Sequence, residues 1–304
     1  MSERSGAAAP GPERSGGKAS HGGAAKRASH QTGNSRALGF VARHAIAIAL
    51  AVMFLAPVVT LGLTSLMSSN QALTADLVPR EWHFDNYVQV FQRTQLPRYL
   101  LNTVMLVTLI LAAQFVLCTL AAFAFARLSF PGRDLLFAVV LLQLMVMPDV
   151  LLVENYRTLV KLHLADTILA IALPYLGSAF GIFLLRQTFL TIPQPLDDAA
   201  RLEGCGLLAR LWRVYVPLAK PTYIAYGLVS VSYHWNNFLW PLVITNSVTT
   251  RPLTVGLAIF ATTDQGIDWS IVTAATLMTS APLLVAFLLF QRQFVQSFMR
   301  AGIR

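Results

Sequence analysis

Asp198-Ala199-Ala200-Arg201-Leu202-Glu203-Gly204-Cys205-Gly206-Leu207-Leu208-Ala209-Arg210-Leu211-Trp212-Arg213-Val214-Tyr215-Val216-Pro217 is a charged, helix-prone island between two long apolar segments. Pro195 and the acidic pair Asp197 and Asp198 suit the first turn of a helix, where the proline's missing N–H costs nothing and carboxylates complement the helix dipole. Ala199 and Ala200 are small enough for a partner to approach closely. Gly204 permits a left-handed turn that stops the helix. Beyond it, Leu208, Leu211 and Trp212 recur at helical spacing, Pro217 ends the second half and Pro221 opens the next apolar run. The spacing predicts a short, rigid helix pair over 191–220 with a small-residue surface.

The flanks of the island set its context. Of the 304 residues 55% are hydrophobic and 12% charged, and the mean hydropathy is +0.58, too apolar for a soluble globule. A spanning helix needs about 20 mostly apolar residues, and in lipid the backbone must satisfy its own hydrogen bonds. Six blocks meet this, at about 40–66, 101–126, 135–153, 167–190, 222–245 and 270–291. The expected fold is therefore all-α and polytopic with six transmembrane helices. Pro148 and Asp149 interrupt the far end of the third block, which predicts a kink or an early exit there.

Charge gives an orientation. Seventeen of the 23 Lys and Arg lie before the first block, in alternate loops (Arg127 and Arg133; Arg186 to Lys220) or after the last block. Six, namely Arg80, Arg93, Arg98, Arg157, Lys161 and Arg251, lie on the other side. The positive-inside rule places both termini and the island in the cytoplasm. The net charge of +9 is spread over these loops, which suits anionic lipid heads and not nucleic acid. Residues 1–36 are basic, rich in Gly, Ala and Ser and without apolar periodicity, so they read as a disordered cytoplasmic tail. The apolar run after them is too long for a signal peptide and reads as an uncleaved anchor. Cys118 and Cys205 fall in different segments and read as unpaired thiols. No His, Asp and Glu cluster has metal-ligand spacing, and no catalytic constellation assembles.

An acidic residue, two alanines, a glycine four positions on and a distal Val214-x-Val216-Pro217 together resemble the coupling loop of ABC importer permeases, usually Glu-Ala-Ala-x-x-x-Gly with Ile-x-Leu-Pro. Asp198 stands where Glu is usual, and Glu203 where Asp is usual. The resemblance extends to Phe180–Phe189, to Ala124–Arg133, to Trp235-Asn236-Asn237-Phe238-Leu239-Trp240-Pro241-Leu242 and to the ending Phe294–Gly302. The resemblance is taken to cover about residues 40–304, read as a 37–304 transmembrane domain. The chain looks like the smaller, six-span permease of carbohydrate or glycerol-phosphate importers, with the type I (MetI-like) fold.

That resemblance implies a multi-pass protein of the bacterial inner membrane. The implied partners are a second permease in a heterodimer, an ATPase dimer that carries ATP and Mg, and an extracytoplasmic solute-binding protein. The coupling residues it implies are Asp197, Asp198, Ala199, Ala200, Arg201, Glu203 and Gly204. No cofactor is expected on this chain: Gly17-Lys18 is followed by Ala19, so no phosphate-binding Gly-x-x-x-x-Gly-Lys-Ser/Thr is present. No enzymatic activity is expected of this chain either.

Polar groups inside spans are costly and usually face a cavity or a partner helix. Tyr233, His234, Trp235, Asn236, Asn237 and Trp240 are the candidate pathway residues, since amides and aromatic faces suit a sugar ring. Hydrogen bonds that lock the bundle would use the same groups. Asp149, Glu154, Asn155, Tyr156 and Arg157 suit an entrance or an ordinary solvated loop. Trp82, Asp85, Asn86 and Tyr87 belong to an outer segment, 67–98, that suits docking of a binding protein or capping of the bundle. No Lys or Arg stands well inside a span, which favours a neutral sugar over a glycerol phosphate. The competing class is an ATP-independent secondary transporter or channel. It would call for acidic residues mid-span or inverted repeats with broken helices, and Asp149 is its sole candidate.

Overall fold

In the computed structural model, residues 24–74, 76–260 and 267–302 are described, and among them the regular structure is helical throughout. The order is α1 Ala24–Thr64, α2 Asp85–Arg93, α3 Leu96–Arg127, α4 Arg133–Leu142, α5 Leu152–Lys161, α6 Ile168–Ala172 and α7 Ala179–Thr191. It continues with α8 Gln194–Leu202, α9 Leu207–Arg210, α10 Val216–Leu218, α11 Lys220–Trp235, α12 Leu239–Ile244, α13 Leu253–Phe260 and α14 Trp269–Gly302. The chain divides into two units, Met1–Val59 and Thr60–Arg304. In the first, helix begins at Ala24, inside the segment whose composition reads as disordered; residues 1–23 of that segment lie outside those described.

Among the described residues three helices are long and apolar enough to cross a bilayer: Arg43–Thr64, Leu96–Arg127 and Trp269–Leu289. The third apolar block bends by 90° between Arg133–Met145 and Pro148–Lys161. The kink expected at Pro148 is present, and the α-helix already stops at Leu142. Met147, just before the proline, is extended (φ −67°, ψ 134°), as the proline ring requires of its predecessor. The fourth block bends by 48° at Pro174–Ser178, where Ser178 caps α7 by accepting the Gly181 N–H. The fifth block divides at Asn236 into α11 and the six-residue α12. Six apolar blocks thus do not become six unbroken helices.

In the larger unit α3 is the central pillar, packed along α7 and α11, while α11 packs along α14. Its buried side chains serve three cores. Cys118, Ala122, Phe123 and Ala126 meet Leu185, Phe189, Leu211 and Tyr215. Val107 meets Trp235 and Ile271, and Leu106 with Ile110 meets Ile171, Trp240 and Ile244. Leu101, Met105, Leu109, Val116, Leu117 and Leu120 remain exposed on the same helix. An apolar helix with an exposed apolar face is what a lipid solvent calls for, since lipid tails are as apolar as leucine. Cys118 and Cys205 are both free thiols.

Polar loops tie the end of the unit remote from the island. Asp166, at φ 60°, accepts from the backbone N–H groups of Asn246 and Ser247 and from the Thr250 hydroxyl. Its partial burial opposes ionisation, yet these donors hold its carboxyl down to about 2. Asn102 donates to the carbonyls of Thr249 and Arg251, joining the start of α3 to the same loop.

Candidate functional site

The island folds as α8, a turn, α9, a π-helical turn over Leu211–Tyr215, and α10 running into α11. Gly204 sits at φ 78°, the left-handed conformation expected of it, with open space where a Cβ would stand. On α8 the faces divide. Asp198, Ala199, Leu202 and Glu203 are exposed, Leu202 at 91%, whereas Asp197 and Ala200 are buried. Leu207, Leu208 and Trp212 continue the exposed apolar face. Asp197 instead points inward: its Oδ2 accepts from Arg210 Nη1 at 2.7 Å and Arg201 Nη2 at 2.9 Å. The two halves of the helix pair are thereby pinned together.

Beneath the island lies the first of the three cores. Tyr215 is fully buried, edge-on to Phe123 of α3 (5.1 Å between centroids) and Phe189 of α7 (5.5 Å). The Arg127 guanidinium stacks over its ring at 5.2 Å and donates to the Phe189 and Ile192 carbonyls at the end of α7. A cation placed on the last carbonyls of a helix answers both their unpaired lone pairs and the negative dipole end. The same surroundings bear on the Tyr215 phenol: burial pushes it up to about 12, partly offset by Arg127. Arg186 repeats the arrangement with Phe137 (4.1 Å to the ring) and the Phe125 carbonyl.

A cavity of about 380 Å³ opens between the bent third and fourth blocks and α11. Gln114 of α3 is its hub. Its Oε1 accepts from Tyr226 (2.8 Å) and Ser230 (2.6 Å), and its Nε2 donates to the Tyr175 carbonyl (2.8 Å) and, at 3.4 Å, to His234 Nε2. An amide N–H can only donate, so His234 accepts through Nε2 and carries its proton on Nδ1. That Nδ1 is buried and has no hydrogen-bond partner among the described residues. Tyr175 and Tyr233 flank the imidazole at 4.9 and 5.0 Å between ring centroids. Asp149 and Asn155 complete the rim, and among the described residues neither Lys nor Arg lines the cavity.

Residues 116–300 match the family described as binding-protein-dependent transport system inner membrane component. The chain belongs to this family. It is 31% identical over 242 residues to the arabinooligosaccharides transport system permease protein AraQ of Halalkalibacterium halodurans, covering 79% of this chain and 86% of that one. The sn-glycerol-3-phosphate transport system permease protein UgpE of Yersinia pestis bv. Antiqua is 32% identical over 198 residues, 65% of this chain and 70% of the relative. In structure it resembles a bacterial ABC transporter involved in the import of the acidic polysaccharide alginate, with a TM-score of 0.76 at 22% identity, covering 86% of this chain and 98% of that one. The fold is thus that of an ABC importer permease, and the protein is a multi-pass membrane permease.

The permease brings together some of the residues singled out from sequence and separates others. Tyr233, His234 and Trp240 line the cavity. Trp235 does not; it is buried on the other side of α11, where its indole donates to the Thr279 carbonyl of α14. Asn236 returns its amide to the Ser232 carbonyl, and the Asn237 carbonyl accepts from Thr254. Helix α11 ends at Trp235, so neither asparagine continues its stripe, while the Asn237 side chain hydrogen-bonds the Tyr175 hydroxyl of the cavity wall. Of the rim candidates, Asp149 and Asn155 face the cavity, while Glu154 and Arg157 pair with each other at 3.3 Å in the exposed part of α5. Asn86 donates to the Ser65 and Met67 carbonyls and caps the bundle. Sequence reasoning missed Gln114, Ser178, Tyr226 and Ser230. An amide in the middle of the apolar run of α3 was the available signal, as was the 226, 230, 233, 234 spacing on α11.

Proposed function

We propose that the permease forms one half of the pathway of an ATP-driven importer for a neutral carbohydrate. A separate ATPase dimer docks on the island, a second permease completes the channel in a heterodimer, and an extracytoplasmic binding protein delivers the solute. ATP and Mg belong to the ATPase. Both termini, with the basic segment 1–36, and the island lie on the cytoplasmic side, and the chain crosses the membrane six times, some crossings being bent or broken helices.

The observation that carries the substrate class is the lining of the cavity. Its volume lies within the range of small-molecule sites. Hydroxyls, amides and an imidazole supply hydrogen bonds, and Tyr175, Tyr233 and Trp240 supply aromatic faces for the C–H side of a sugar ring. A phosphorylated solute would need a cation to replace its water, and the lining offers instead the carboxylate of Asp149. The relatives named for arabinooligosaccharides and for sn-glycerol 3-phosphate bracket the two options, and the lining favours the first. For docking, the exposed set Asp198, Ala199, Leu202, Glu203 and Gly204 offers a small, partly apolar surface, with Arg201 at its edge.

The test is uptake into proteoliposomes holding both permeases, with and without the ATPase, offering a neutral oligosaccharide or sn-glycerol 3-phosphate. ATP-dependent uptake of the neutral sugar is expected. Uptake that persists without the ATPase would establish the secondary-transporter alternative, and preference for the phosphate would reverse the substrate assignment.

A further inference from the structure

Asp197 and Arg210 are charged groups that the island has taken out of water, at 2% and 7% exposure. Among the described residues Arg210 Nε is buried without a hydrogen-bond partner, so the pair is not an optimised stabilising device. Two apolar side chains of similar volume would typically fold as well or better. What the ion pair adds is direction: a short, oriented bond between α8 and the end of α9. Arg210 leads directly into the π-helical turn Leu211–Tyr215, and Tyr215 is clasped by Phe123 and Arg127 of α3 and Phe189 of α7. Those two helices carry Gln114 and Ala179 of the cavity wall.

We infer that the Asp197–Arg210 pair is the rigid link by which movement of α8 reaches α3 and α7, so that Asp197 is a positioning residue and not part of the docking surface. The inference rests on the proposed docking of an ATPase at the island. The exposed face of α8 meets the partner, the ion pair makes α8 and α9 move as one body, and the Tyr215 cluster passes that displacement to the helices around the cavity. A pair that served only to hold the fold would be replaceable by apolar packing. A link would not, because apolar contacts slide where a charge-assisted hydrogen bond keeps its geometry.

The test uses the complete importer reconstituted in proteoliposomes, reading solute taken up per ATP hydrolysed, co-purification of the ATPase and the thermal unfolding midpoint. Arg210→Gln and the double variant Asp197→Leu/Arg210→Met should keep the ATPase bound. The double variant should also keep the midpoint, while uptake per ATP falls about tenfold, within the usual span of coupling between sites. Arg210→Lys keeps the ion pair and should keep most of the coupling; if the double variant does not accumulate, the contrast between Arg210→Lys and Arg210→Gln decides. Full coupling in the double variant or in Arg210→Gln overturns the link. Loss of ATPase binding in both overturns it as well, by returning Asp197 to the docking surface. Leu202→Glu, on the exposed face, separates the two readings: if it leaves ATPase binding intact, the docking assignment itself fails, whatever the ion-pair variants do.

Discussion

Two regions of the same helix bundle solve the polar problem differently. Around the island the polar groups are ions: the buried pair Asp197 and Arg210, with exposed Arg201 on the same carboxylate, and the half-buried Arg127 on the end of α7 and Arg186 over Phe137. Around the cavity they are neutral: one amide, Gln114, shared among two hydroxyls, a carbonyl and an imidazole. The difference follows from depth. Near the surface a charge reaches water or a counter-ion within one side-chain length, whereas deeper in the bilayer an ion is costly and an amide gives both donor and acceptor without net charge. The ionic end is thus suited to holding shape under load, and the neutral end to exchanging one hydroxyl partner for another.

The contrast is most directly broken at its hub. Gln114→Leu strands the Tyr226 and Ser230 hydroxyls and the Tyr175 carbonyl, at about 1–3 kcal/mol for each group left unpaired. A large drop in the unfolding midpoint in detergent is expected, together with loss of uptake. An unchanged midpoint would mean the hub is not what orders the cavity wall.

Next in size is Gly204→Val. A Cβ there meets nothing within 4 Å, so the main effect is the strain of φ 78° on a β-branched residue, about 1–2 kcal/mol. Uptake should fall much more than the midpoint does, because a reshaped turn moves the exposed face of α8. Equal losses would argue that the turn matters for folding alone.

Asp166→Asn should cost less, since it weakens bonds at a partly exposed loop. Because the folded carboxyl is held at about 2, below the ordinary carboxylate value, its contribution to stability is fully present above about pH 4. It disappears as pH falls toward 2. The variant should therefore differ from the parent by the same amount at pH 5 and pH 8, measured by thermal unfolding; a gap that grows between those values would contradict the assignment. Leu202→Glu is the smallest in stability, within about 0.5 kcal/mol for an exposed site. It should nonetheless abolish ATPase binding, measured by co-purification.

Much of the bundle was legible because lipid simplifies the code. Uninterrupted apolar length marked α3 and α14, proline placed the bend at Pro148, and Gly204 announced its own turn. The site was harder to read. The polar run Tyr233–Asn237 looked like one stripe, but helix periodicity turns Trp235 to the far side of α11 and the helix ends before Asn236. Gln114 was passed over because two amides in 32 residues, Asn102 and Gln114, leave the composition of the span unchanged, and its four partners come from segments 61 to 120 residues away.

The sequence by itself determined an all-helical membrane permease and where its two chemistries lie along the chain, because hydropathy, charge and turn residues are local properties. Only the tertiary structure decided which groups meet. Asp197 and Asp198 are neighbours of the same type, yet one turns inward to Arg210 and the other faces solvent. A helix rotates by about 100° from each residue to the next, and what lies on each side is set by packing against distant segments.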